Sequence, residues 1–160
     1  MKPIALGFAL VVLALSPALV CAKPVVALTL SGSYVGKNDD GTPRIVPVER
    51  ERARPGDRIR WEIDAKSTGD QPARGFAAVG RIPAGTVFVA GSQSASGAHV
   101  EYSLDAARTW SASPTVTVQT PAGPVIRKAD PALYTAIRWT GGPPLAPGSV
   151  SHYTYEVTVR

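Results

Sequence analysis

The sequence predicts an all-β protein, a β-sandwich of about seven to nine short strands, with a small closed barrel as the alternative. Three observations predict it. Period-two alternation of apolar and polar residues recurs along the chain, and no window sustains a 3.6-residue period. Pro-Gly turn signals immediately precede alternating segments, as at Arg54-Pro55-Gly56-Asp57 and Ala146-Pro147-Gly148-Ser149. Fifteen Gly and fifteen Pro in 160 residues make the chain turn-rich, while 44% apolar residues exclude a solvated, charged coil. Many short strands with frequent turns make the sandwich the default architecture.

Taken in order, residues 1–22 read as a secretory signal peptide. Lys2 supplies the positive start and Ile4 to Leu15 the apolar stretch. Pro17 follows, and Val20 and Ala22 are small residues at the cleavage positions. Pro17 interrupts the stretch before the roughly 20 apolar residues that a membrane span needs. Cleavage after Ala22 removes Cys21, so the mature chain has no thiol and no disulfide to support it in an oxidising compartment. The alternative is a lipoprotein beginning at Cys21, for which Val20 is a poor preceding residue. Loss of Lys2 leaves a formal charge of +4, with sixteen basic and twelve acidic residues. A mildly basic exported protein suits an anionic envelope surface. Nucleic acid is not an expected partner there, and the mature chain is expected to have no membrane span.

Residues 23–44 are expected to hold a strand, Val25–Tyr34, and a loop that join the sandwich. Residues 45–160 form the main domain. Arg58 to Ala65 alternates cleanly: Ile59, Trp61, Ile63 and Ala65 share one face, and Arg58, Arg60, Glu62 and Asp64 the other. Only a strand with one buried side needs this pattern. At the C-terminus Tyr153, Tyr155, Val157 and Val159 face in, while His152, Thr154, Glu156 and Thr158 face out. Further strands are expected at Ile45–Glu49, Phe76–Ile82, Val87–Ala90, His99–Leu104, Thr115–Val118 and Ala136–Trp139. Residues 121–131 read as a long loop. In both Pro-Gly turns Pro pre-sets φ at the second position and Gly takes positive φ at the third.

The ordered set Arg54-Pro55-Gly56-Asp57-Arg58-Ile59-Arg60-Trp61, Ile82-Pro83-Ala84-Gly85-Thr86-Val87-Phe88, Val100-Glu101-Tyr102-Ser103-Leu104-Asp105 and Leu145-Ala146-Pro147-Gly148-Ser149 resembles a bacterial family. It is the conserved-repeat domain of unknown function numbered eleven among such domains. The resemblance covers roughly residues 45–160. It implies an immunoglobulin-like sandwich in an exported bacterial protein, often found in tandem, with no catalytic residues. Here Ser67-Thr68-Gly69 stands where the family usually has Asn-x-Gly. A single copy does not point to a stacked stalk.

Several constellations could carry chemistry. Glu49-Arg50-Glu51-Arg52-Ala53-Arg54 is the densest charge run, and Arg58 and Arg60 follow it. Such a run is a solvated strand face in most proteins, and it also blunts an exposed edge. As a site, Arg50, Arg52, Arg54, Arg58 and Arg60 would contact an anionic envelope polymer, because guanidinium groups bind phosphate and carboxylate bidentately. Ser103-Leu104-Asp105-Ala106-Ala107-Arg108-Thr109-Trp110 resembles the Asp-box of sialidases, with Ala107 in place of its Gly. There the expectation is a structural hairpin in which Asp105 and Thr109 brace the turn and Trp110 packs on it. Trp61, Trp139, Tyr153 and Tyr155 fall on inward positions and read as core rather than as a sugar platform. Asn38, Asp39 and Asp40 read as a turn, not a calcium loop. His99 and His152 lie on strands far apart in sequence, lack a nearby metal-ligand partner and read as exposed or half-buried structural residues.

The expected function is therefore a non-enzymatic envelope or extracellular module that acts by surface complementarity on an unidentified protein or polymer. No cofactor or metal is expected. The alternative is a small module that binds carbohydrate or anionic polymer. A hydrolase is the remotest reading, because no G-x-S-x-G nucleophile elbow occurs.

Overall fold

The computed structural model describes residues 23–38, 40–94 and 97–160. Residues 1–22, where a signal peptide is expected and which include Cys21, lie outside the described residues, as does Asp39. Ten strands are present among them: β1 (Val26–Lys37), β2 (Pro43–Pro47), β3 (Arg58–Ser67), β4 (Ala78–Arg81), β5 (Thr86–Phe88), β6 (His99–Ser103), β7 (Thr115–Thr120), β8 (Gly123–Lys128), β9 (Ala136–Thr140) and β10 (Val150–Val159). They form antiparallel sheets of five, three and two strands, ordered β2-β1-β3-β10-β5, β4-β9-β6 and β7-β8. The protein is an all-β sandwich. No sheet closes on itself, so the barrel alternative is set aside. No helix among the described residues is long and apolar enough to cross a membrane.

The alternation of β3 sets the inner and outer faces of the large sheet. Ile59, Ile63 and Ala65 are buried, and Arg58 and Arg60 are exposed on the other side. β10 pairs with β3 so that Tyr153 meets Ile63, Tyr155 meets Trp61 and Val157 meets Ile59. The three-stranded sheet covers this face. Trp139 at the centre of β9 packs against Tyr153 and Tyr155, with ring centroids 5.4 and 6.1 Å apart. Trp139, Tyr155, Ile137 and Val157 are almost fully buried. Both buried polar tips are partnered: the Trp139 indole N–H donates to the Ser94 carbonyl and the Tyr155 hydroxyl to the Arg81 carbonyl. Gly80 belongs here by close approach, since a Cβ would stand 2.5 Å from the Tyr155 ring.

The Pro-Gly turns have the expected form. Gly56 and Gly148 have φ of +91° and +77°, and the N–H of Asp57 and Ser149 donate to Arg54 and Ala146 carbonyls at 3.0 Å each. Asp57 also accepts the Arg54 N–H at 2.7 Å, which ties the turn that leads into β3.

Three expectations need correction. Residues 121–131 are not simply a loop: Gly123–Lys128 is a strand that makes a two-stranded hairpin with β7. Pro121 and Pro124 obscure it in the sequence, because proline contributes no N–H to a ladder. The strand count is therefore ten rather than seven to nine. Trp61 faces inward but is only half-buried, because the small sheet does not extend over β1. Leu28 and Leu30, paired with Ala65 and Ile63 on the same face, are 52% and 58% exposed. Lastly, His152 is not isolated. The ladder sets it directly opposite Asp64.

Candidate anion-binding cleft

The basic run does not stay together in space. Arg50 closes a short 3-10 turn, Val48–Arg50, and is exposed. Arg60 projects from the outer face of β3. Its guanidinium donates twice to one oxygen of Glu156, at 3.0 and 2.8 Å, and Arg58 stands 3.3 Å from the other oxygen. Two cations thus share one carboxylate, whose residue is only 9% exposed. Pairing with two cations offsets the desolvation that a buried carboxylate otherwise suffers. Arg60 serves this network and takes no part in the cleft.

Arg52, Arg54 and Arg58 line an open cleft of about 850 Å³, and the fold adds Lys37 and Arg44 to them. The C-terminal part of β1, the start of β2 and the 51–58 segment form its walls. The β1–β2 register places Lys37 opposite Pro43 and Gly36 opposite Arg44. Asn38 and Asp40 shape the turn between these strands. Asp40 accepts the N–H and hydroxyl of Thr42 at 2.9 and 2.6 Å, and these bonds hold its carboxyl below the usual carboxylate range. Tyr34 closes the inner wall, its hydroxyl donating to the Glu51 carbonyl at 3.2 Å.

The charges of the cleft are unequally matched. Glu51 forms an ion pair with Arg44, a bond that raises the guanidinium pKa further. Asp57 is engaged by the Arg54 backbone. The cleft therefore carries five cationic side chains against two carboxylates. Among the described residues Lys37, Arg52 and Arg54 form no ion pair. Two of these three were legible in the charge run. Lys37 and Arg44 come from flanking strands, and no local signal connects them to it.

The Asp-box segment has a different geometry. Asp105 accepts the Ser103 hydroxyl at 2.7 Å, the N–H of Arg108 and Thr109 at 3.1 and 2.8 Å, and the Thr109 hydroxyl at 2.6 Å. These bonds, led by Thr109, hold its carboxyl far below the usual range. The turn brings Tyr102 and Ser111 into a two-way backbone pair. Ala106 and Ala107 adopt φ of +59° and +72°, a region that costs an L-residue about 1 kcal/mol. The Trp110 ring lies under the Arg138 guanidinium, 4.7 Å from its centroid, while Arg138 also pairs with Glu101 at 2.8 Å.

A second cavity, of about 430 Å³, lies beside this turn. Its lining includes Phe88, Gln93, Tyr102, Lys128 and Tyr134. Tyr102 and Tyr134 stack on each other at 4.7 Å, and burial pushes both phenol pKa values up. The Gln93 Oε1 atom is buried and has no hydrogen-bond partner among the described residues.

No family model, curated protein or solved structure matches this chain.

Proposed function

We propose that the protein is a non-enzymatic, exported envelope module that holds an anionic polymer in the Arg-rich cleft. The observation that carries this reading is the trio Lys37, Arg52 and Arg54, three cations on one concave surface that form no ion pair among the described residues. Guanidinium groups bind phosphate or carboxylate in a fork, and an open cleft admits a chain running through it. The signal-like N-terminus and the motif resemblance support an exported setting, and in the resembled family no residue is catalytic. The hydrogen bonds of Asp105 are all spent on its own turn, which supports a scaffolding role for the Asp-box residues.

Titration with a poly(glycerol phosphate) oligomer and with polygalacturonate tests this. Binding to at least one should weaken steeply with added salt, because charge contacts are screened. The Arg52→Ala/Arg54→Ala double variant should lose most of it. Both side chains are exposed, so folding should be unaffected. Equal binding by the double variant, or equal binding of neutral dextran, would overturn the reading.

A small carbohydrate-binding module is the second reading, favoured by the aromatic cavity, whose Gln93 oxygen has no hydrogen-bond partner among the described residues. Salt-insensitive retention of a neutral oligosaccharide, lost in Gln93→Leu, would favour it over the first.

A further inference from the structure

We propose that Glu62, Asp64 and His152 form a binding site for a divalent metal ion of the zinc type on the outer face of the large sheet. The site is separate from the cleft and does not depend on that reading. The β3–β10 ladder pairs His152 with Asp64 and Thr154 with Glu62. Glu62 and Asp64, two residues apart, share one face, and His152 meets both across the ladder. One ligand atom from each lies within 4.8 Å of the others. His152 Nδ1 is 2.7 Å from an Asp64 oxygen and 3.4 Å from a Glu62 oxygen.

These distances are close to what a metal requires. With bonds of about 2.0–2.2 Å, the ligands of a tetrahedral zinc ion sit about 3.3–3.6 Å apart. Changes of roughly an ångström in side-chain position would complete the geometry, with no backbone movement. The backbone is held on the β3 side, since β3 lies between β1 and β10 and pairs with β10 from Val150 to Thr158, whereas β5 meets β10 only at Val157–Val159.

Charge gives a second, independent argument. Along the same face Arg58 and Arg60 are both engaged by Glu156. Lys66, two residues beyond Asp64, forms no ion pair with either carboxylate. Among the described residues, the only cation within ion-pair distance of these two carboxylates is the His152 imidazole when it is protonated. A divalent ion neutralises both.

The donor set selects the ion. One imidazole nitrogen and two carboxylates match a three-ligand zinc site with an open fourth position, whereas calcium takes six to eight oxygens. The side chains of Glu62, Asp64 and His152 are 43%, 42% and 60% exposed, so water or a donor from another molecule can reach that position.

Calorimetric titration of the chelator-stripped protein with zinc chloride tests the proposal, with folding checked by circular dichroism. One ion per chain should bind. Loss of an outer hydrogen-bond partner typically weakens metal sites by about 10–100-fold, so removing a ligand should do at least that. His152→Ala and Asp64→Asn should therefore bind at least about 10-fold more weakly. The near-isosteric Glu62→Gln serves if either variant unfolds. His99→Ala should bind like the parent, and calcium should not compete. Absence of zinc uptake, undiminished binding by His152→Ala or Glu62→Gln, loss in His99→Ala, or equal competition by calcium would each overturn the proposal.

Discussion

Trp139 and Trp61 occupy equivalent inward positions on their strands but differ in depth. Trp139 is 1% exposed and lies between the two sheets, with its indole N–H bonded to Ser94. Trp61 is half-buried and lies across Gly32 of β1, where a Cβ would stand 2.7 Å from its ring. Its indole nitrogen is buried and has no hydrogen-bond partner among the described residues. The difference teaches that alternation assigns a side chain to a face, while the opposite layer decides how deeply it is buried. The small sheet covers β10 and β3 but stops short of β1. Leu28 and Leu30 therefore stay exposed on an otherwise apolar face.

The largest effects should come from truncating these two rings. Trp139→Ala should destabilise by about 3–5 kcal/mol, as for large aromatics removed from cores. Trp61→Ala should cost about half of that, because less of its ring leaves water on folding. Denaturant unfolding checks both, and equal costs would break the comparison.

Replacement by Phe sharpens it. Trp139→Phe leaves the part-buried Ser94 carbonyl without this donor, whereas Trp61→Phe removes an N–H that has no acceptor among the described residues. The first should cost more than the second by about 1–3 kcal/mol. Added methyl groups test the same contrast from the other direction. Gly80→Ala presses on the Tyr155 ring, which is sealed and tethered through its hydroxyl. It should cost about 1–3 kcal/mol. Gly32→Ala presses on Trp61, which has room to tilt outward, and should cost less.

The smallest effects belong to the exposed periphery. Arg60→Ala should cost at most about 1 kcal/mol, since Arg58 still reaches Glu156. At the Asp-box turn the sign of the pH effect is defined. The folded-state pKa of Asp105 is depressed, so its contribution is present above the unfolded value and lost as pH falls. The difference in Tm between the parent and Asp105→Asn should be present at pH 7 and shrink as the pH falls below about 4. A constant difference would mean that the carboxylate's charge is irrelevant to the turn.

The fold class and most strands were legible because they rest on local rules. Period-two patterning places Ile59, Ile63 and Ala65 on one face without reference to the rest of the chain. The Pro-Gly turns likewise carry their φ requirement in the residues themselves. β8 escaped because Pro121 and Pro124 are loop signals, and only pairing with β7 makes that segment a strand. In the cleft, Arg52, Arg54 and Arg58 could be seen in the charge run. Their grouping with Lys37 and Arg44, and the diversion of Arg60 to Glu156, could not.

The sequence by itself determined the inward and outward faces, the turns and the presence of a basic surface, since each depends on residues a few positions apart. The tertiary structure alone decided that Trp139 is sealed and Trp61 is not, and that His152 stands across from Asp64, 88 positions earlier in the chain. Depth and register arise from which distant strand lies alongside or above. That choice is a property of the whole sandwich, settled by the joint burial of all its inner faces.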